Sequence, residues 1–180
     1  MSHLAIYKDD NPEQVIFASS SGIEISEKLE TLGVRFERWV ANKSLDGDIL
    51  LAYANDIERL KSEYGYQSVD VVSLKPDNEQ KTALRQKFLA EHTHSENEVR
   101  FFVAGSGMFY LHIENNIYML LCEVGDLISV PANARHWFDM GENPDFTCIR
   151  LFTSKDGWAA DYTGDNIAEK FPKFEQKEAA

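Results

Sequence analysis

The sequence predicts a mainly β fold, in which a small barrel of antiparallel strands follows a few N-terminal α-helices. Between residues 89 and 153, short runs rich in β-branched and aromatic residues alternate with turn residues, a spacing typical of sandwiches and small barrels. Before residue 89, three segments instead carry apolar residues at helical spacing. The chain has 180 residues, 43% of them hydrophobic, so we expect one domain with a sizeable core.

The N-terminal segments mix strands and helices. Ser26 is a candidate N-cap for a short helix that ends at Leu32. The longest helix is expected to open near Asp46 and to run to about Tyr64, where Gly65 ends it. A third helix is predicted from Asp77 or Asn78 to Phe88, and short strands are predicted over residues 4–7, 14–18, 34–40 and 69–74.

From residue 89 the predicted strands are short and separated by turns. Asn115-Asn116 is a hairpin signal between two of them, and Asn143-Pro144 marks a later turn. We divide the single domain into a decoration (1–88), a metal-binding barrel core (89–153) and a C-terminal tail (154–180), disordered after Phe174. The predicted core strands cover residues 89–94, 98–104, 107–114, 117–124, 127–130, 134–140 and 146–153.

Charge and cysteine content argue against several classes of function. The formal net charge is −12, which disfavours binding to nucleic acid or to an anionic membrane. The two cysteines, Cys122 and Cys148, both fall in predicted strands and are interpreted as buried apolar residues. The first residues do not resemble a signal peptide, and no apolar run approaches the ~20 residues of a membrane span. We therefore expect a cytoplasmic protein that is a monomer.

Two of the five histidines, His92 and His94, stand two residues apart in a predicted strand, so their side chains share one face. Glu98 opens the next strand after a short turn, and alternation puts Glu98, Arg100 and Phe102 on one face of it. Two imidazoles and a carboxylate that converge form a metal-ligand set, and the carboxylate favours ions such as Fe(II) or Mn(II). A bare His-x-His is also compatible with the polar tip of a solvated hairpin.

Two longer patterns favour the metal site over the hairpin tip. His92-x-His94-x3-Glu98-x6-Gly105 matches the first motif of the cupin superfamily, and Gly125-x5-Pro131-x4-His136 matches the second. Gln86 and Asn133 stand where these motifs often have glycine, and asparagine tolerates the left-handed turn that glycine supplies. The chain thus resembles cupins, which implies a small jelly-roll β-barrel and makes His136 the fourth metal ligand.

A more specific resemblance covers most of the chain, from the Trp39 strand to Phe174. The segment Glu91-His-x-His-x3-Glu98-Val-Arg100-Phe-Phe-Val-x-Gly105-x-Gly107-x-Phe109, with Trp158 downstream, resembles the acireductone dioxygenase family of methionine salvage. This implies one Fe(II) or Ni(II) ion per chain, with acireductone and O2 as substrates. It implies cleavage of 1,2-dihydroxy-3-oxo-5-(methylthio)pent-1-ene to formate and 4-methylthio-2-oxobutanoate with Fe(II), or to formate, CO and 3-(methylthio)propanoate with Ni(II).

Further side chains near the motifs are candidates for specific roles. Arg100, if it faces inward beside a metal, is suited to hold the charge of an anionic substrate. Glu96 is either a catalytic base or a solvated loop charge, and Glu91 is a candidate partner that orients a ligand histidine. His112 has no evident partner and is expected to be exposed and incidental. Four aromatic residues are either walls of a pocket for the thioether tail or plain core: Phe88, Phe102, Phe138 and Trp158.

Two other classes of function stay open from the sequence. Another metal-dependent cupin enzyme, such as a sugar isomerase, would need no O2 and would favour a more polar pocket. A non-catalytic cupin that binds a small ligand would not need a complete set of metal ligands. Fe(II) and Ni(II) accept the same side chains, so the sequence does not distinguish them.

Overall fold

The computed structural model describes residues 1–41 and 46–175. In these ranges the chain forms eleven strands, four α-helices and one 3-10 helix, and none of the helices is long and apolar enough to cross a membrane. The strands are β1 (His3–Lys8), β2 (Asn11–Ser19), β3 (Arg35–Arg38), β4 (Ser68–Leu74), β5 (His92–Thr93), β6 (Glu98–Ile113), β7 (Asn116–Glu123), β8 (Asp126–Val130), β9 (Arg135–Asp139), β10 (Phe146–Phe152) and β11 (Asp161–Tyr162). The helices are α1 (Gly22–Glu30), α2 (Ile49–Ala52), α3 (Ala54–Tyr64) and α4 (Lys81–Leu89), with the 3-10 helix at Ile167–Glu169.

Strand β6 belongs to two sheets. Its second half pairs with β7 and β9 in a sheet ordered β11-β5-β9-β6-β7-β1-β2. Its first half pairs with β8 and β10 in a sheet ordered β4-β10-β6-β8-β3. The strand changes sheet at Gly105, whose φ of 65° lies in the left-handed region that glycine favours. Residues of both sheets meet in one apolar core, so the predicted mainly β fold is confirmed.

Part of the outer face of each sheet is covered as well. Tyr53, between α2 and α3, packs edge-on against Phe101 of β6, with ring centroids 5.4 Å apart. On the other sheet, Phe171 and the 3-10 helix pack against Trp137 of β9. Alternation along β6 then turns Phe102 into the core between the sheets. The first half of β6 therefore has apolar packing on both of its faces.

Helix α1 begins earlier than predicted. Ser21 is its N-cap, and the side chain of Ser21 accepts a hydrogen bond from the backbone N–H of Glu24. Ser26 lies inside the helix and donates its hydroxyl to the carbonyl oxygen of Phe36, which ties α1 to β3. Serine is favoured at the N-cap, so the sequence pattern suits both residues. The hydroxyl of Ser26 is engaged by β3, and Ser21 is the residue that caps the helix.

The longest predicted helix is two helices. Asp48 caps α2 through a hydrogen bond from the backbone N–H of Leu51, and the chain breaks at Tyr53 before α3 continues. Gly65 ends α3 in the left-handed conformation with φ of 73°, as expected. Tyr53 leaves helical geometry (φ −104°, ψ 18°) and is completely buried, so its packing against the sheet accompanies the break.

Other boundaries also differ from the predicted ones. The predicted strands 98–104 and 107–114 are one strand, β6, bent at Gly105. The hairpin turn after it uses Glu114 and Asn115, both with positive φ, so Asn116 already belongs to β7. The segment expected as a tail contains β11 and the 3-10 helix, both packed on the sheet. The last residues predicted to be disordered, 176–180, lie outside the described part of the chain.

Candidate metal centre

Strands β5 and β9 bring three histidines together. His92 and His136 face each other across the antiparallel pair, and His94 follows directly after β5. One ring nitrogen from each of the three lies within 4.8 Å of the others. All three side chains are buried, with at most 6% of their surface exposed. Three imidazoles so close together in an interior form a group that could hold a metal ion.

A backbone carbonyl orients each of these rings. The accepting oxygens are those of Ala90 for His92 (2.7 Å), Ala134 for His136 (2.8 Å) and Ala159 for His94 (2.9 Å). The donor is Nδ1 in every case. Because a carbonyl oxygen can only accept, each Nδ1 carries a proton, and in the neutral ring the lone pair of Nε2 is free. This is the tautomer that a metal ligand requires.

Glu98, the first residue of β6, places its carboxylate among the rings. Its Oε2 lies 3.2 Å from Nε2 of His94 and 3.5 Å from Nε2 of His136. Its Oε1 accepts a hydrogen bond of 2.7 Å from Nε of Arg100. Burial raises the pKa of this carboxyl, but Arg100 and the two histidines outweigh burial, so the pKa of Glu98 lies well below its usual range. The four residues that the motifs predicted as ligands therefore lie together.

Arg100 faces the interior, as strand alternation predicted. The side chain is buried, and its guanidinium carbon lies 4.8 Å from the ring centre of Phe138 and 5.1 Å from that of Phe109. A guanidinium over aromatic rings is stabilised by the negative face of each ring. A buried positive charge thus sits directly behind the carboxylate of Glu98.

The histidines differ in how readily they take up a proton. Burial, together with the nearby His136, lowers the pKa of His92 to about 4. For His94, burial also acts to lower the pKa, but the bond and charge of Glu98 and the carbonyl of Ala159 outweigh it, so the pKa of His94 is raised. The low pKa keeps the ring of His92 neutral, the form that binds a metal ion, near neutral pH.

The metal-free protein is expected to lose stability as the pH falls from 6.5 to about 4. The pKa of His92 drops from 6.5 to about 4 on folding, so the unfolded chain binds this proton first. His94, whose pKa is raised, contributes in the opposite direction, mainly above pH 6.5. The loss from His92 amounts to about 3 kcal/mol, and unfolding with urea at stepped pH measures it.

The control for this prediction is His92→Gln, because glutamine has no proton to gain. We expect the variant to show a flatter dependence of the unfolding free energy on pH between 6.5 and 4. The same slope in the variant and the natural protein would contradict the low pKa of His92.

Comparison with known proteins agrees with this geometry. The model of the ARD/ARD′ family matches residues 3–160. The acireductone dioxygenase of Yersinia enterocolitica is 51% identical over 180 residues, which cover 97% of this chain and 100% of that protein. That of Aquifex aeolicus is 53% identical over 181 residues, with 98% of each chain covered.

The chain belongs to the acireductone dioxygenase family. The same family supplies a solved structure, an acireductone dioxygenase from Bacillus anthracis with a cadmium ion in its active centre. That chain has a TM-score of 0.78 and 29% identity to this one, over 90% of this chain and 98% of the other. The predicted membership of the family and the predicted cupin-type fold are thereby confirmed.

The donor set of this acireductone dioxygenase family member fits a divalent metal ion. Within residues 1–41 and 46–175, Oε2 of Glu98 and Nε2 of His136 are buried atoms that make no well-aligned hydrogen bond. A buried polar atom without a partner destabilises a protein by about 1–3 kcal/mol. Both atoms point to the place where the three Nε2 lone pairs converge. One cation at that place would satisfy them.

Three of the four predicted pocket aromatics lie together beside Arg100. Phe138 is central, with ring centroids 6.3 Å from Phe88 and 6.4 Å from Phe102. Trp158 lies in the turn after β10 and is 60% exposed, so it does not belong to this group. The three phenyl rings form an apolar wall on one side of the site, whereas the predicted place of Trp158 in that wall is not observed.

The structure corrects the expectations for Glu91 and His112. The carboxylate of Glu91 does not bond a ligand ring directly, since carbonyls do so; its Oε2 accepts from Nδ1 of His112 at 2.7 Å. His112 is buried, and its Nε2 lies 3.3 Å from Oδ2 of Asp9. Asp9 is 103 residues away in sequence, so no local pattern could reveal this pairing.

Glu96 lies on the turn between β5 and β6, where it is half-buried. Its Oε2 accepts a hydrogen bond from the hydroxyl of Thr153, which follows β10. A Cβ atom added at Gly157 would lie 3.3 Å from Cβ of Glu96, so the loop after β10 packs closely on this turn. The carboxylate therefore borders the site without belonging to the group of four, and its role as a base stays a prediction.

Proposed function

We propose that the chain is a metal-dependent dioxygenase that cleaves 1,2-dihydroxy-3-oxo-5-(methylthio)pent-1-ene with O2 in methionine salvage. The observation that supports this most is the convergence of four ligand side chains in one buried site of a chain from this family. We propose His92, His94, Glu98 and His136 as the ligands of one Fe(II) or Ni(II) ion per chain. We further propose that the chain acts as a monomer, because a net charge of −12 disfavours association of copies. We also propose that it acts in the cytoplasm.

A divalent ion held by these four side chains would supply Lewis-acid chemistry to a substrate with adjacent oxygens. The protein itself contributes three neutral imidazoles, one carboxylate and one guanidinium. With a divalent ion this leaves the site net positive. An ionised enediol, which presents two adjacent oxygens and negative charge, is the complementary substrate.

Arg100 is placed to hold the charge of that substrate. Its Nε donates to Glu98, and its terminal –NH2 groups carry further donors in a planar arrangement suited to oxygen anions. The wall of Phe88, Phe102 and Phe138 excludes water from this side, which strengthens the interaction of the guanidinium with an anion. The same wall offers an apolar surface to a thioether tail. Glu96 stays the candidate base that ionises the enediol.

The test is oxygen uptake with metal-reloaded protein. We expect the metal-stripped chain to regain O2 consumption with either Fe(II) or Ni(II) when acireductone is supplied before O2. With Fe(II) the products are expected to be formate and 4-methylthio-2-oxobutanoate. With Ni(II) they are expected to be formate, CO and 3-(methylthio)propanoate, and headspace analysis detects the CO. Each reaction uses one O2, and both of its oxygen atoms end in the products.

The control is the spontaneous oxidation of acireductone without protein. O2 loss no faster than this control, with either metal, would remove the proposed activity. A chain that binds the metal yet interconverts sugars without O2 would instead be a cupin isomerase. A chain with no affinity for a transition metal would be a ligand-binding cupin.

A further inference from the structure

His94 differs from His92 and His136 in which residue supplies the carbonyl oxygen that accepts from Nδ1 of its ring. His92 and His136 each donate to the residue two positions earlier, so their own backbone fixes the ring. His94 donates to Ala159, which lies 65 residues later in the chain. Ala159 is followed by β11, and we call residues 159–163 the strap. The ring direction of His94 therefore depends on where the strap lies.

The strap is held to the sheet by few contacts. Strand β11 pairs with β5 through two residue pairs, Asp161 with Thr93 and Tyr162 with His92, and its side chains are exposed. A strand of two residues is short by any standard and adds little by itself. A stronger attachment comes from Thr163, whose backbone N–H donates to the carbonyl oxygen of Glu91 at 3.0 Å. The hydroxyl of Thr163 donates to Oε1 of the same glutamate at 2.9 Å.

The carboxylate of Glu91 is in turn held in place by His112. Its side chain is 1% exposed, and its second oxygen accepts from Nδ1 of His112 at 2.7 Å. The other nitrogen of His112 faces Oδ2 of Asp9 at 3.3 Å and a terminal nitrogen of Arg135 at 3.4 Å. Because both oxygens of Glu91 are engaged, the carboxylate has one orientation and presents a fixed acceptor to Thr163.

We propose that Thr163 and His112 are positioning residues for the metal centre. Through Glu91 they hold the strap so that the carbonyl of Ala159 stays against Nδ1 of His94. The carbonyl keeps the proton on Nδ1 and aims Nε2 at the ion. This inference rests on the proposed function, because it takes His94 as a metal ligand. Loss of such an outer partner typically lowers metal affinity by about 10–100-fold.

The first variant is Thr163→Val in the full chain, because valine keeps the shape and removes the hydroxyl. With Zn(II) as probe and a competing chelator as indicator, we expect the affinity to fall about 10-fold. Thr163→Ser, which restores a hydroxyl, is expected to recover most of that loss. The hydroxyl of Thr163 also accepts a bond from the backbone N–H of Asp165. His112→Gln leaves that bond intact and disturbs only the hold of His112 on Glu91. If that hold positions the strap, this variant also binds Zn(II) more weakly.

A ring-proton measurement separates positioning from general loosening. In the Zn(II)-loaded protein, NMR detects the Nδ1 proton of each histidine held by a carbonyl. In Thr163→Val we expect the proton of His94 to exchange faster with water, while those of His92 and His136 keep their rates. Ser73→Ala is the matched control, since it removes a contact of 2.9 Å with Thr147 between β4 and β10. It is expected to lower stability without changing Zn(II) affinity.

Two results would overturn the role of the strap while the metal centre stands. One is an affinity of Thr163→Val and His112→Gln within about twofold of the natural chain, well short of the expected loss. The other is equally faster exchange of all three ring protons, which would indicate general destabilisation. A natural chain that does not bind Zn(II) would overturn the metal centre itself, and the role of the strap with it.

Discussion

The Glu98→Gln variant is expected to lose its metal ion and all dioxygenase turnover, although it removes one charge and almost no volume. The amide would weaken the bond to the ion and leave the buried guanidinium of Arg100 without its counter-charge. Breaking a buried ion pair from one side destabilises a protein by about 3–5 kcal/mol. We expect metal affinity to fall at least about 100-fold, which metal analysis after dialysis and chelator competition measure.

The control for Glu98→Gln is Glu96→Gln, two residues earlier, on the turn that precedes β6. Glu96 is half-buried, and its carboxylate is engaged by Thr153 instead of the histidines. This variant is expected to keep its metal, and a lower turnover with full metal content would support the role of Glu96 as a base. Retention of metal by both variants would contradict the assignment of Glu98 as a ligand.

Gly105→Ala is expected to destabilise the protein more than the same change at Gly125 or Gly65, which also have a positive φ. A Cβ atom at this position would lie 1.8 Å from the carbonyl oxygen of Asp145 and 2.8 Å from Cα of Phe146. Backbone atoms cannot move aside without breaking the pairing of β6 with β10. We expect a loss of about 4 kcal/mol or more, and urea denaturation of the metal-free chain measures it.

The Gly65→Ala variant distinguishes the steric clash of an added Cβ atom from the strain that alanine suffers at a positive φ. Gly65 has a φ of 73°, close to the 65° of Gly105, but an added Cβ would meet nothing within 4 Å. This variant carries the strain alone, which amounts to about 1–2 kcal/mol. Equal losses in the two variants would show that the close approach of Asp145 plays no part.

The core of the site could be predicted from the sequence because its parts are local. His92, His94 and Glu98 fall within residues 92–98, and strand alternation alone places Arg100 beside Glu98. The glycine at position 105 was also identified from a motif, and the structure gives the reason in its positive φ. Periodicity sufficed for the mainly β fold as well, because each strand shows its pattern over several residues.

The contacts that the sequence did not predict involve residues that are distant from one another along the chain. Ala159 orients His94 with a backbone carbonyl, a group that every residue possesses, so its identity carries no signal. His112 acquires its buried partners from Asp9 and Glu91, and its own neighbours give no hint of them. Strand β11 has two residues, too few for any periodicity to show. These contacts arise from the tertiary structure, and they are the ones that complete the centre.

The pairing of β6 in both sheets has a consequence for the synthesis of the chain. This strand has 16 residues, most of them buried in the finished protein, and the four strands that pair with it all come later in sequence. During translation, at about 5–20 residues per second, the edge of its first half that pairs with β10 stays open until β10 has left the ribosome. An apolar strand with open edges is prone to aggregate. Chains truncated before Phe146 are therefore expected to be insoluble, and the nascent polypeptide is the vulnerable form of this protein.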